Sequence, residues 1–194
     1  MMARDPRFTL ANALTAFRLV VAAPGMLACT LLGAREAFVW VLAASFASDA
    51  IDGTVARLTG QATRFGAMLD SWADAVAYTV IAIGVASLWP ELVRAEGLAF
   101  GAIVASFAVP SGFGYVRFRR FTSYHTWLVK LAVAATATAL LVVLSGGPAW
   151  PFRLAAVLAS LAALEEIAIT CVLAAPRSNV RSLLSVLRAR RPRA

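Results

Sequence analysis

Charge is scarce in this chain. Only 14% of its 194 residues are charged and only 10 are acidic. With a mean hydropathy of +0.78, that excludes an ordinary soluble globular domain. Histidine occurs once, as His125 in the loop-like stretch SYHTW, where it needs no function. The two cysteines, Cys29 and Cys171, fall inside apolar runs. They imply no disulfide framework, and buried packing is expected of both. Low-complexity linkers and internal repeats are missing too, so no second globular domain is expected. What is abundant is apolar surface, at 61% of residues.

The apolar residues come in six runs, at 9–32, 36–57, 65–89, 97–118, 126–145 and 152–175. A spanning helix needs roughly 20 apolar residues. The expected fold is therefore an all-α integral membrane protein, a bundle of six transmembrane helices over residues 1–176 with a basic tail at 177–194. The first run is too long for a secretory h-region, and Arg18 interrupts it, so a cleaved signal is not expected. With six spans both termini share a side. That side collects 13 arginines from Arg4 to Arg193, against Arg35, Arg94 and Arg153 opposite. Short-loop bias then places both termini in the cytoplasm of the cell's inner membrane. The tail RSNVRSLLSVLRARRPRA interleaves leucine and valine with arginine, suiting an interfacial helix on anionic lipid. The net charge of +8 thus reflects topology and lipid contact, and no nucleic acid partner is expected.

Four of the ten acids crowd into residues 49–74, as Asp49, Asp52, Asp70 and Asp74. Each pair is three or four residues apart and so shares a helical face. A turn around Gly60 and Thr63, as helix stop and N-cap, would set the second and third spans antiparallel and bring the pairs to one depth. A charge near a helix centre costs about 2.5–3.5 kcal/mol, so four cost on the order of 10 kcal/mol. Arg57 and Arg64 are the counter-ions at hand for two of them, and a bound cation serves the rest. The donors are all oxygen, which favours Mg²⁺ or Mn²⁺, with Ca²⁺ a further hard ion, over Zn²⁺. Four carboxylates suffice for two metals roughly 3.5–4 Å apart, an arrangement that clamps a transferring phosphoryl group. Gly53 and Ala56 leave room for a ligand near the backbone, and Arg57 is placed to meet a phosphate.

Asp49, Asp52-Gly53, Ala56-Arg57, Gly66, Asp70 and Asp74 together resemble the signature D-x₂-D-G-x₂-A-R-x₈-G-x₃-D-x₃-D of the CDP-alcohol phosphatidyltransferases, matching every fixed position and gap. The resemblance implies a homodimeric membrane enzyme with two divalent cations. It would move a substituted phosphate from a CDP-linked lipid donor to a small alcohol acceptor and release CMP. By the same resemblance Asp49, Asp52 and Asp70 are metal ligands, and Asp74 is both ligand and base. Gly53, Ala56, Arg57 and Gly66 form the nucleotide-binding set. Near the start, Asn12, Thr15 and Arg18 share one face and resemble the N-x-x-T-x-x-R stretch that lies on the family's donor side.

Other residues are less specific. Arg117 and Arg120, with Lys130 a turn inside the fifth run, are candidates for an anionic acceptor or for positive-inside flanking. Glu165 and Glu166 sit midway along the last run, where at least one needs a basic or hydroxyl partner inside the bundle. Trp40, Trp89, Trp127 and Trp150 fall near run ends, where interfacial belts put tryptophan. The acceptor stays open. Ser71-Trp72-Ala73 and Ala75 replace the proline and lysine of the phosphatidylglycerophosphate type, and AVAYT after Asp74 lacks the serine-type continuation. The alternatives are a divalent metal-ion transporter and a membrane prenyltransferase. The first wants acids reaching the far side, and the second wants two separated aspartate motifs on a longer bundle.

Overall fold

A computed structural model describes residues 9–58, 64–119, 124, 126–175 and 180–190, with the backbone alone at 10, 11, 52–58, 64, 65, 67, 189 and 190. Every regular element among them is helical. Five helical stretches are long and apolar enough to cross a bilayer: Asn12–Leu31, Met68–Leu88, Gly97–Phe118, Trp127–Leu144 and Trp150–Val172. They coincide with five of the six apolar runs. The remaining run folds as a helix of 24 residues, Arg35–Leu58, but Asp49 and Asp52 interrupt its apolar character. Large apolar side chains face outward, with Leu98 at 94% and Val116 at 72% exposure. Water does not tolerate such a surface and lipid does, so the chain is membrane-embedded.

The chain divides into two compact units, Met1–Val93 and Arg94–Ala194. In the first, α1 (Leu10–Phe17), a π turn (Arg18–Ala22) and α2 (Ala23–Leu31) run on without a break. Thr9 caps the start, accepting the Asn12 N–H at 3.1 Å. Pro24 has no N–H to give to the preceding turn, and just ahead of it the ladder widens. The Ala23 N–H reaches back five residues to the Arg18 carbonyl. Gly33, at φ +68°, ends the helix in a Schellman closure, with the Ala34 N–H donating to the Cys29 carbonyl at 2.9 Å. Next come α3 (Arg35–Leu58), α4 (Arg64–Leu88) and the short α5 (Pro90–Ala95).

The first helix packs on both α3 and α4, whereas α3 and α4 touch each other little among the described residues. Among the described residues the first helix lies between them. Gly60 and Thr63, the expected stop and cap of the α3–α4 turn, lie outside the described residues. Met26, Phe38, Leu42 and Val85 are fully buried in this unit. Trp89 is buried as well, its ring 5.7 Å from that of Phe38 and under the Arg35 guanidinium at 5.5 Å. It is therefore core and not a belt residue. Trp40, Trp127 and Trp150 are exposed, as anchors would be. Arg35 also pairs with Glu91 at 2.9 Å.

The second unit comprises α6 (Gly97–Phe118), α7 (Trp127–Leu144), α8 (Trp150–Val172) and α9 (Leu183–Arg190). Its centre is α8, which packs against α6, α7 and α9. Ala155, Ala156, Ala159, Ala162 and Ala163 make its buried face, small enough for close helix approach. That leaves Cys171 exposed and Cys29 half-buried, a correction to the expectation that both are buried. Arg153 forks onto Glu96 at 2.8 and 2.6 Å, and those hydrogen bonds hold the Glu96 carboxyl below the usual range.

Glu165 finds the hydroxyl partner expected of it. Its carboxylate accepts from Thr126 Oγ1 at 2.7 Å and from the Leu183 N–H at 3.0 Å. Thr126 in turn caps α7, accepting from the Val129 N–H. One carboxylate therefore ties the start of α9 to the start of α7. Beneath it Tyr124, Ile169, Leu173, Val180 and Val186 form a buried cluster, and the Tyr124 hydroxyl meets Thr170 Oγ1 at 2.9 Å. The described part of the basic tail is thus docked onto α8.

Gly84 is where α4 meets its neighbours most closely. A methyl there would lie 2.5 Å from Phe38 Cζ and 3.0 Å from Thr30 Oγ1, and Phe38 is fully buried and has nowhere to move. Gly84→Val is expected to destabilise the first unit by about 1–3 kcal/mol, as overpacking does. A thermal-unfolding midpoint in detergent equal to that of the wild type would contradict this packing.

Candidate metal centre

Asp49 comes from α3, while Asp70 and Asp74 come from α4, one turn apart on a shared face. The helix between them supplies Arg18, at the first residue of the π turn. Its Nη1 donates to Oδ1 of Asp49 and to Oδ1 of Asp74 at 3.0 Å, and its Nη2 donates to Oδ1 of Asp70 at 2.6 Å. The Arg18 side chain is 3% exposed, whereas the three carboxylates keep 41%, 35% and 31% of their surfaces open. The guanidinium is thus the floor of the site, and the carboxylates form its accessible rim.

One carboxylate oxygen from each of Asp49, Asp70 and Asp74 can be chosen so that all lie within 4.8 Å of one another. At an effective dielectric of about 20, charges that far apart repel by roughly 3.5 kcal/mol per pair, and opposite charges near 3 Å attract by roughly 5.5 kcal/mol. Solvent at the open rim screens both terms. Three attractions to one guanidinium therefore outweigh three repulsions, and the carboxylates can converge. Arg57 and Arg64 are the counter-ions expected from the sequence, and Arg18 is expected on the donor side. Arg18 lies among the aspartates, 31 to 56 residues away in sequence. The signal that could have found it was the arginine itself, an uncompensated charge inside an apolar run, which by rule seeks an acidic partner.

Asn12 and Thr15 are buried on the same face as Arg18, as the three-residue spacing predicts. Ser48 Oγ reaches the Leu14 carbonyl at 3.4 Å, so that face is the one packed on α3. Gly66 is half-buried in the first turn of α4, four residues before Asp70. Gly53 lies on the α3 backbone, and the side chains of Asp52, Ala56 and Arg57 fall outside the described residues. So do Arg64's side chain and all of Arg120 and His125. Arg117 lies on α6, its guanidinium against the carbonyls of Cys171 and Leu173 at 3.3 and 3.4 Å, where it satisfies the end of α8. Lys130 is exposed on α7, its ammonium 5.1 Å from the centre of the Trp127 ring. Both belong to the second unit.

The donor set fits a hard divalent cation: carboxylate oxygens only, convergent, and open on one side. No other group of three or more such ligands occurs among the described residues. Fold and site together define a helical membrane protein with an acidic centre, able to hold a cation, between its first four helices. The family model of the CDP-alcohol phosphatidyltransferases matches residues 8–172, and the chain belongs to that family. A curated relative, the CDP-diacylglycerol–serine O-phosphatidyltransferase of Helicobacter pylori (strain ATCC 700392 / 26695), is 41% identical over 88 residues. The match covers 42% of this chain and 32% of the relative, so the chain spans about a third of that protein's length. No solved structure matches.

If Asp49 ligates the cation, Asp49→Asn removes a formal charge from the set while keeping its shape. Mn²⁺ affinity, read from the free-ion electron paramagnetic resonance signal, is expected to fall by about tenfold or more, the equivalent of roughly 1.4 kcal/mol. Unchanged affinity would remove Asp49 from the ligand set.

Proposed function

We propose that this chain is a phosphatidyltransferase of phospholipid synthesis, moving a substituted phosphate from a CDP-linked lipid donor, CDP-diacylglycerol by default, to a small alcohol with release of CMP. The observation that carries the reading is the convergence of Asp49, Asp70 and Asp74, each at its position in the family's signature. Asp52 completes the four-carboxylate set. Divalent cations, Mg²⁺ or Mn²⁺, held there would neutralise the donor's diphosphate and the charge that develops as CMP leaves.

The chain's own residues do the rest. Gly53, Ala56, Arg57 and Gly66 hold the nucleotide, with Asn12 and Thr15 lining the donor side of the first helix. Asp74 lies one turn further along α4 than Asp70, so it borders both the ligand set and the apolar depth from which an acceptor's hydroxyl can approach. As the hydroxyl oxygen attacks the lipid-linked phosphorus, the phosphorus–oxygen bond to CMP breaks, and Asp74 takes the hydroxyl proton. Arg117, Arg120 and Lys130 are available to an anionic acceptor or to lipid phosphates. The relative's name makes serine the first acceptor to try, although AVAYT after Asp74 does not resemble the serine-type continuation. A transporter is the weaker reading, because, Glu165 and Glu166 apart, the intramembrane acids cluster at one end of their spans.

The test is CMP release from CDP-diacylglycerol with a panel of alcohols, serine among them. Release is expected with Mg²⁺ or Mn²⁺ and its abolition by chelator; turnover undiminished by chelator would refute the reading. In the same assay Asp74→Asn is expected to lose about 10²–10⁴ in rate, the loss typical of a positioned base, while donor affinity is largely kept.

The Arg35–Leu58 helix completes a six-span bundle in this reading, since the pairing of Asp49 with Arg18 removes one charge from its apolar path. Both termini then face the cytoplasm of the inner membrane and the protein is a homodimer. Residues 177–194 form the basic tail, with Leu184 and Leu187, both exposed, toward the lipid interface. Cysteines placed at Arg64 and Arg120 in a Cys-free background should resist an impermeant thiol reagent in intact cells, and those at Arg35 and Glu96 should label. The opposite pattern would turn the centre outward.

A further inference from the structure

Arg18 and a divalent cation draw on the same carboxylates. The guanidinium is bonded to one oxygen of each of Asp49, Asp70 and Asp74, and the same three residues are the convergent ligand set. A guanidinium donates along N–H bonds into carboxylate lone pairs, and a hard cation needs carboxylate lone pairs aimed at itself. Two positive groups drawing on the same three carboxylates also repel each other.

We propose that Arg18 is a built-in counter-ion that competes with the divalent cation for Asp49, Asp70 and Asp74 and thereby sets the affinity of the site. The inference rests on the metal-centre reading above and adds to it a residue outside the aspartate motif. The placement supports it. Arg18 is almost wholly buried at the floor of the site, on the one helix that touches both α3 and α4. It can therefore hold carboxylates from two helices together at bilayer depth, where they would otherwise drive each other apart. A cation arriving at the open rim must compete with the guanidinium for these carboxylates. Arg18 thus trades affinity for a site that is assembled before the cation comes.

The experiment uses the full chain in nanodiscs, with Mn²⁺ as the probe and free Mn²⁺ followed by electron paramagnetic resonance. Arg18→Gln removes the competitor and is expected to bind Mn²⁺ about tenfold more tightly than wild type. Its thermal midpoint in chelator should fall, and added Mn²⁺ should restore it. Arg18→Lys keeps a charge but not the fork that spans three carboxylates. Its Mn²⁺ affinity should rise by about threefold, and it carries the test if Arg18→Gln does not fold. Equal or weaker Mn²⁺ binding by the folded variants overturns the competition, even though the wild type binds. A midpoint loss that Mn²⁺ does not repair overturns it too, because a purely structural arginine would behave that way. Failure of the wild type itself to bind Mn²⁺ overturns the metal reading, and this inference with it.

Discussion

The first unit depends on one guanidinium set among three carboxylates. Asp49 is on α3, Asp70 and Asp74 are on α4, and those helices have little direct contact among the described residues. What holds their charged faces together is the helix between them, through Arg18. A carboxylate at such depth without a partner is expensive, and removing one member of a buried ionic group leaves the others uncompensated. The geometry of the cation centre is therefore inherited from the packing of a third helix whose residues lie outside the 26-residue aspartate stretch.

Pairing governs the other described polar groups as well. Glu165 sits midway along α8 and is satisfied by the Thr126 hydroxyl and the Leu183 N–H, which is how an apolar helix tolerates it. Glu96 is forked by Arg153, and Glu91 is met by Arg35. Two of the three basic residues assigned to the far face are thus neutralised beside it. The arginines of the other face meet different partners, such as the α8 carbonyls that receive Arg117. Within a span, as at Glu165, such a bond substitutes for hydration that the bilayer cannot give.

Glycine and alanine act where helices approach most closely. Gly84 admits the buried Phe38 ring, and the alanines of α8 give α6 and α7 a smooth seat. Lipid tails are as apolar as leucine, so close backbone approach, rather than exclusion of water, drives such contacts. This also explains why alanine dominates the buried face of α8 while large apolar residues such as Leu98 and Val116 point outward.

The sequence by itself determined the helical class, the run boundaries to within a few residues, and the aspartate motif. These are properties of composition and spacing: length against bilayer thickness, and i, i+3 or i, i+4 placement on a helix face. It also determined that at least one of Glu165 and Glu166 needs a hydroxyl or basic partner, because the burial cost is fixed by the carboxylate's own chemistry. Only the tertiary structure decided which groups meet. Trp89 looked like an anchor and became core, because Phe38 and Arg35 close over it from α3. Cys171 looked buried and is exposed, because the alanine face of α8 turns it outward. Arg18, expected on the donor side, lies at the floor of the acidic centre. Its partners lie 31 to 56 residues away, and no local periodicity encodes which helix inserts between two others.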